Sequence, residues 1–151
     1  DNGLHLTVHA GESSGPEGVR GALDVLHAER IDHGVRSVED PELLQRLKDA
    51  HIALNVCFSS NVIGGLYSPQ THPLGKLFSD GQLVTVSTDD PMLLDLPLLK
   101  ELQIVTEQYG WGINEVLQLQ KNAVAAAFCT QEEKEKLYAY IDVFQKKLSA
   151  F

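Results

Sequence analysis

Basic residues are scarce in this chain: 12 Lys and Arg stand against 21 Asp and Glu, a formal net charge of −9 over 151 residues. Nucleic-acid binding draws on clustered cations that displace counterions from phosphates, and the sequence offers no such cluster. A nucleic-acid partner is therefore not expected. Apolar runs are short, well below the roughly 20 residues that cross a bilayer, and the first residues lack the basic and apolar regions of a secretory leader. No membrane partner and a cytoplasmic location are the matching expectations. Cysteine is sparse too: Cys57 and Cys129 lie far apart and form no Cys-x-x-Cys, which argues against a disulfide framework and a thiolate zinc site. Neither Gly-x-Gly-x-x-Gly nor a phosphate loop occurs, which lowers a dinucleotide-binding reading. With 43% hydrophobic residues, the chain still has the material for one respectable core.

What is present is a recurring unit of strand, polar strand end and helix. Leu4-His5-Leu6-Thr7-Val8-His9 reads as a β-run whose alternation puts His5, Thr7 and His9 on one side and Leu4, Leu6 and Val8 on the other. His9 closes the run, and Gly11 permits a turn that returns Glu12 towards it. Ser14, Pro16 and Glu17 signal a helix start, and Val19, Ala22, Leu23, Val25 and Leu26 are spaced for one buried face. A second strand, Arg30 to Val35, carries His33 just before Gly34; Asp40-Pro41 starts the next helix, with Leu43, Leu44 and Leu47 inward. A third strand, Ile52 to Cys57, runs into Ser59-Ser60-Asn61, read as a polar loop on the rim. A short helix from Thr71 to Phe78 leads to a fourth strand, Leu83 to Thr88, which ends in Asp89-Asp90-Pro91. Three helical stretches follow at 95–109, 113–128 and 131–148, the last opened by a Thr130–Glu133 capping box.

Strands alternating with helices predict a parallel sheet with right-handed crossovers. Every strand carries its reactive-looking side chains at its C-terminal end, where (β/α)₈ barrels gather their active sites; an open doubly wound sheet binds ligands there too. Adjacent aspartates on an extended backbone point to different places, so Asp89 and Asp90 are expected to have separate tasks, with a helix cap before Pro91 as the structural alternative. The other histidines read as structural: His5 as interior packing, His27 as solvated, His51 in a turn, His72 at a helix start. Cys57 reads as packed at a strand end, and Tyr109 with Trp111 as packing at a helix junction.

Three motifs in order, His9-Ala10-Gly11-Glu12, Asp32-His33-Gly34 and Ser87-Thr88-Asp89-Asp90-Pro91, resemble the C-terminal half of the adenosine deaminase family, metal-dependent hydrolases built on (β/α)₈ barrels. Cys57-Phe58-Ser59-Ser60-Asn61 resembles the family's Cys-Pro-x-Ser-Asn segment, with Phe58 in place of the proline. The resemblance implies an α/β fold comprising strands 5–8 of the barrel plus extra C-terminal helices, one partial domain over residues 1–151. It implies zinc-dependent hydrolytic deamination of adenosine and deoxyadenosine to inosine and ammonia. The alternatives are adenine or another 6-aminopurine as substrate, or a non-catalytic barrel fragment that binds a partner.

The resemblance also implies the roles. His9 and Asp89 become zinc ligands, and zinc lowers the pKa of a bound water from about 15.7 to about 7. His33 takes or orients the water proton, with Asp89 beside it. Glu12 protonates purine N1, for which it must start protonated, as a dry pocket favours. Asp90 binds N7. Four strands do not close a barrel of about 250 residues, and a catalytic zinc wants three protein ligands. The family's His-x-His pair, two further zinc ligands, has no counterpart here. An N-terminal barrel half, in the same or another chain, is the expected partner; without it the fragment is expected to bind zinc poorly and to be inactive.

Overall fold

The computed structural model describes residues 3–148. Four short strands, β1 (Thr7–Ala10), β2 (Arg30–His33), β3 (Ala53–Val56) and β4 (Val84–Val86), form one sheet in the order β1-β2-β3-β4. All three pairings are parallel. Helices α1 (Pro16–Asp24), α2 (Pro41–Asp49), α3 (Phe58–Ile63) and α4 (Leu74–Ser79) lie in the connections, with a 3-10 turn at Val35–Glu39. Three longer helices follow: α5 (Leu98–Tyr109), α6 (Ile113–Ala126) and α7 (Gln131–Leu148). Among the described residues no helix is long and apolar enough to cross a membrane.

The register separates the two faces of the sheet. Val8, Ile31, Leu54 and Val84 line up across the strands, and the last three are fully buried. Burying each such side chain stabilises the fold by about 1.5–3 kcal/mol. One residue along, His9, Asp32, Asn55 and Thr85 are also in register, and the pleat turns this polar row to the opposite face. The row is cross-linked: Thr85 Oγ1 donates to Asn55 Oδ1 (2.8 Å), and Asn55 Nδ2 donates to Asp32 Oδ1 (2.7 Å). Thr7 Oγ1 donates to Asp32 Oδ2 (2.8 Å). Core and prospective site thus lie back to back on one sheet.

Helix stripes and caps follow the sequence with local exceptions. α2 buries Leu43, Leu44 and Leu47, and Asp40 caps it by accepting from the Leu43 N–H. Thr130 and Glu133 make the expected reciprocal cap on α7. α1 ends at Asp24, which leaves Val25 and Leu26 exposed rather than on its buried stripe. Its cap is Gly15, not Ser14; Glu17 reaches back to the Gly15 N–H. Residues 59–61, read as a rim loop, form the core of α3, with Ser59 and Asn61 buried. The run is too short and too polar for its period to register. His5 precedes β1 and is exposed; it bonds Glu29 at 2.8 Å and stacks on Phe128, so it is not interior packing.

Candidate active site

The chain turns sharply after β1, β2 and β4, and the turns place the polar groups. Gly11, His33, Gly34 and Asp89 all have φ between 62° and 66°, the left-handed region that costs an L-residue roughly 1–2 kcal/mol. Glycine is required at Gly11, where a Cβ would sit 2.6 Å from Val19 Cγ2 and 3.3 Å from the Gly34 Cα. His33 and Asp89 accept the conformation without being glycine, which is the kind of strain that clusters at functional sites. Their side chains are held in return. Ser60 Oγ donates to Asp89 Oδ2 at 2.6 Å, and Asn61 Nδ2 lies 3.1 Å from His33 Nδ1.

α3 supplies both of these partners, and a buried charge anchors it. Glu101 of α5 is wholly buried and accepts from the Ser59 N–H at 2.9 Å and from the Ser59 hydroxyl. The carboxylate thus satisfies donors at the start of α3. Burial pushes its pKa up, against these hydrogen bonds, which hold it down.

The structure brings four of the five sequence-nominated residues together. Ligand atoms of His9, His33 and Asp89 all lie within 4.8 Å of one another. Glu12 Oε2 is 3.7 Å from His33 Nε2, and Asp89 Oδ2 is 3.9 Å from the same nitrogen. His9 Nδ1 faces Asp32 Oδ2 at 3.7 Å, which leaves Nε2 turned to the site, the orientation that a supporting carboxylate gives a metal-binding histidine. Two imidazoles and a carboxylate are a donor set that suits Zn²⁺. Asp90 stands apart: it is exposed, its side chain has no partner among the described residues, and it caps no helix. Its carbonyl accepts from the Leu94 N–H in the following turn. Cys57 is packed as expected, and burial pushes its thiol up to about 12, so it supplies no thiolate.

Sequence reasoning placed Asn61 among the polar strand-end residues without giving it a role, and missed Ser60 and His72 as members of this centre. His72 Nε2 lies 3.2 Å from Asn61 Oδ1, one step behind His33. Ser59-Ser60-Asn61 carried a signal in its resemblance to a family segment; His72 carried none, because ten residues, the end of α3 and the loop after it, separate it from Asn61.

Comparison with known proteins agrees with this geometry. The adenosine deaminase family model matches residues 1–144. The chain is 41% identical over 144 residues to an adenine deaminase of Rhizobium meliloti, covering 95% of this chain and 44% of that protein. A putative adenosine/adenine deaminase of Streptomyces coelicolor is 41% identical over 143 residues, covering 94% of this chain and 42% of its own length. Among solved structures, the adenine deaminase from Arthrobacter aurescens superposes with a TM-score of 0.92 at 32% identity, over 95% of this chain and 44% of that one. An amidohydrolase from Burkhoderia ambifaria with bound Zn gives 0.85 at 26% identity, over 99% of this chain and 43% of the other. The chain thus spans less than half the length of the relatives it matches, and its four parallel strands and helices have the fold of the C-terminal half of a (β/α)₈ barrel. On the strength of these matches the chain belongs to the adenosine deaminase family.

Proposed function

We propose that this chain is the C-terminal half of a zinc-dependent aminohydrolase that deaminates a 6-aminopurine, with adenine as the preferred substrate. The convergence of His9, His33 and Asp89 within 4.8 Å, with Glu12 beside His33, carries the reading. Adenine displaces adenosine as first choice because the relatives at 41% identity are named adenine deaminase and putative adenosine/adenine deaminase.

His9 and Asp89 would hold the zinc, with two further ligands from an N-terminal barrel half on the same or another chain. When bound, zinc supplies hydroxide at neutral pH by lowering the pKa of water to about 7. The proton transfers and the contact at the N7 side fall to side chains of this chain. His33 takes or orients the water proton. Glu12 protonates purine N1, which makes C6 electrophilic; the water oxygen bonds to C6, a proton released from the water reaches the amine, and ammonia leaves as the C6–N bond breaks. Asp90, free of other partners, accepts a hydrogen bond from the ring at the N7 side. The Glu12 side chain is 35% exposed, so the walls that shut water away from it must come from the other barrel half and the bound purine.

The test is an absorbance assay on the complete enzyme, this chain together with its N-terminal half and zinc. We expect the highest kcat/KM for adenine, then adenosine, and the lowest for AMP, since this half of the barrel carries no Arg cluster for a phosphate and only the N-terminal half could supply one. A preference for adenosine would move the substrate assignment. Zinc uptake without deamination of any of the three would leave a purine-binding barrel.

A further inference from the structure

The histidine that ends β2 hangs on a line of hydrogen bonds that begins on the backbone. Leu74 opens α4, so its N–H has no acceptor within the helix; it donates to His72 Nδ1 at 3.2 Å. A main-chain amide only donates, so His72 Nδ1 must accept. His72 is buried against the rings of Phe58 and Tyr67, and burial lowers its pKa to about 4. The ring is therefore neutral near pH 7, with its proton on Nε2. That nitrogen faces Asn61 Oδ1 at 3.2 Å, which fixes the amide: oxygen towards His72, nitrogen towards His33. An amide turned the other way would set N–H against N–H. Asn61 Nδ2 then donates to His33 Nδ1 at 3.1 Å and reaches Glu12 Oε1 at 3.5 Å. His33 Nδ1 accepts, so the neutral ring carries its proton on Nε2. This is the atom that points at Glu12 Oε2 and Asp89 Oδ2.

We propose that His72 and Asn61 are positioning residues that lock His33 in the Nε2–H tautomer, so that His33 meets the reacting centre as a hydrogen-bond donor and is withheld from the metal. The inference rests on the proposed deaminase site and decides between the two tasks left open there. By distance alone His9, His33 and Asp89 could all reach one ion. Ligation needs a free nitrogen lone pair, however, and His33 has none: Nδ1 is engaged by Asn61 and Nε2 bears hydrogen. His33 orients the attacking oxygen through its N–H, and the water proton goes to a carboxylate.

Ring-nitrogen NMR of the zinc-loaded complete enzyme, labelled with ¹⁵N-histidine, tests this directly and does not depend on turnover. The expected spectrum shows His33 with Nδ1 bare and Nε2 protonated. A ring protonated on Nδ1, or one whose Nε2 binds zinc, overturns the proposal even if the enzyme deaminates adenine; the expected spectrum in an inactive protein would instead count against the deaminase reading alone. Two variants separate positioning from packing. His72→Leu removes the donor to Asn61 and should lower kcat by about 10–100-fold with KM little changed. His72→Gln keeps an N–H donor and should recover most of that loss. No loss in the leucine variant, or equal losses in both folded variants, contradicts the assignment. Should the leucine variant fail to fold, the wild-type spectrum and the glutamine variant still decide.

Discussion

Two histidines end neighbouring strands, and their surroundings are opposite. His9, on β1, has a side chain 67% exposed and a carboxylate at 3.7 Å as its nearest polar support. His33, on β2, is 1% exposed and tied through Asn61 and His72 to the start of α4. The difference follows from position in the sheet. β2 lies between two strands, under helices of this chain, whereas β1 pairs with β2 alone among the described strands. The part of the centre that this chain completes by itself is buried and hydrogen-bonded. The part that faces β1's open edge is arranged but uncovered, with Glu12 beside it.

That contrast can be broken or sharpened by substitution. The largest effect belongs to Glu12→Gln: turnover of the complete enzyme should fall on the order of 10²–10⁴-fold, the worth of a placed proton donor, with zinc content by metal analysis unchanged. Full turnover in this variant would take Glu12 out of the acid role. Acid should act next, through the buried side. The folded pKa of His72, about 4, lies below the unfolded value near 6.5, so the unfolded chain binds more protons between them. Its contribution is whole above pH 6.5 and is lost as pH falls through 4, about 3 kcal/mol over the window. Urea unfolding at several pH values should show a shallower slope in His72→Gln than in the wild type, because the carboxylates held low by their partners, such as Asp40, are common to both proteins. Glu101, whose pKa is raised, has the opposite sign and is common to both proteins, so it cancels in the difference. The smallest effects contrast the two strand ends themselves. Asn61→Ala strands buried groups on both histidines and should cost about 1–3 kcal/mol of stability, whereas His9→Ala should stay within about 0.5 kcal/mol while impairing zinc uptake. Equal costs would mean that the two ends are not built differently.

The features legible in the sequence were those written in neighbouring residues. Alternation placed Thr7 and His9 on one face, Asp40 and Thr130 announced their helices, and polar strand ends pointed to one rim. Convergence of His9, Glu12, His33 and Asp89 was readable because each lies at or just beyond the C-terminal end of a strand in a parallel sheet. The scaffold behind them was not. α3 is six residues, half of them Ser or Asn, and its hold on the site comes from Glu101, more than forty positions after Ser59. His72 looks like a residue before a proline until tertiary contact sets it against Asn61. His5 was misplaced because the strand starts two residues after it, which frees it for Glu29.

The direction of the line from Leu74 to His33 originates in a peptide N–H, and peptide groups are what mutation leaves alone. Replacing Asn61 or His72 can sever that line, but no side chain at position 74 other than proline can remove its first donor. The sense in which the protons point is therefore inherited with the fold, and drift among the side chains can silence this arrangement without ever reversing it.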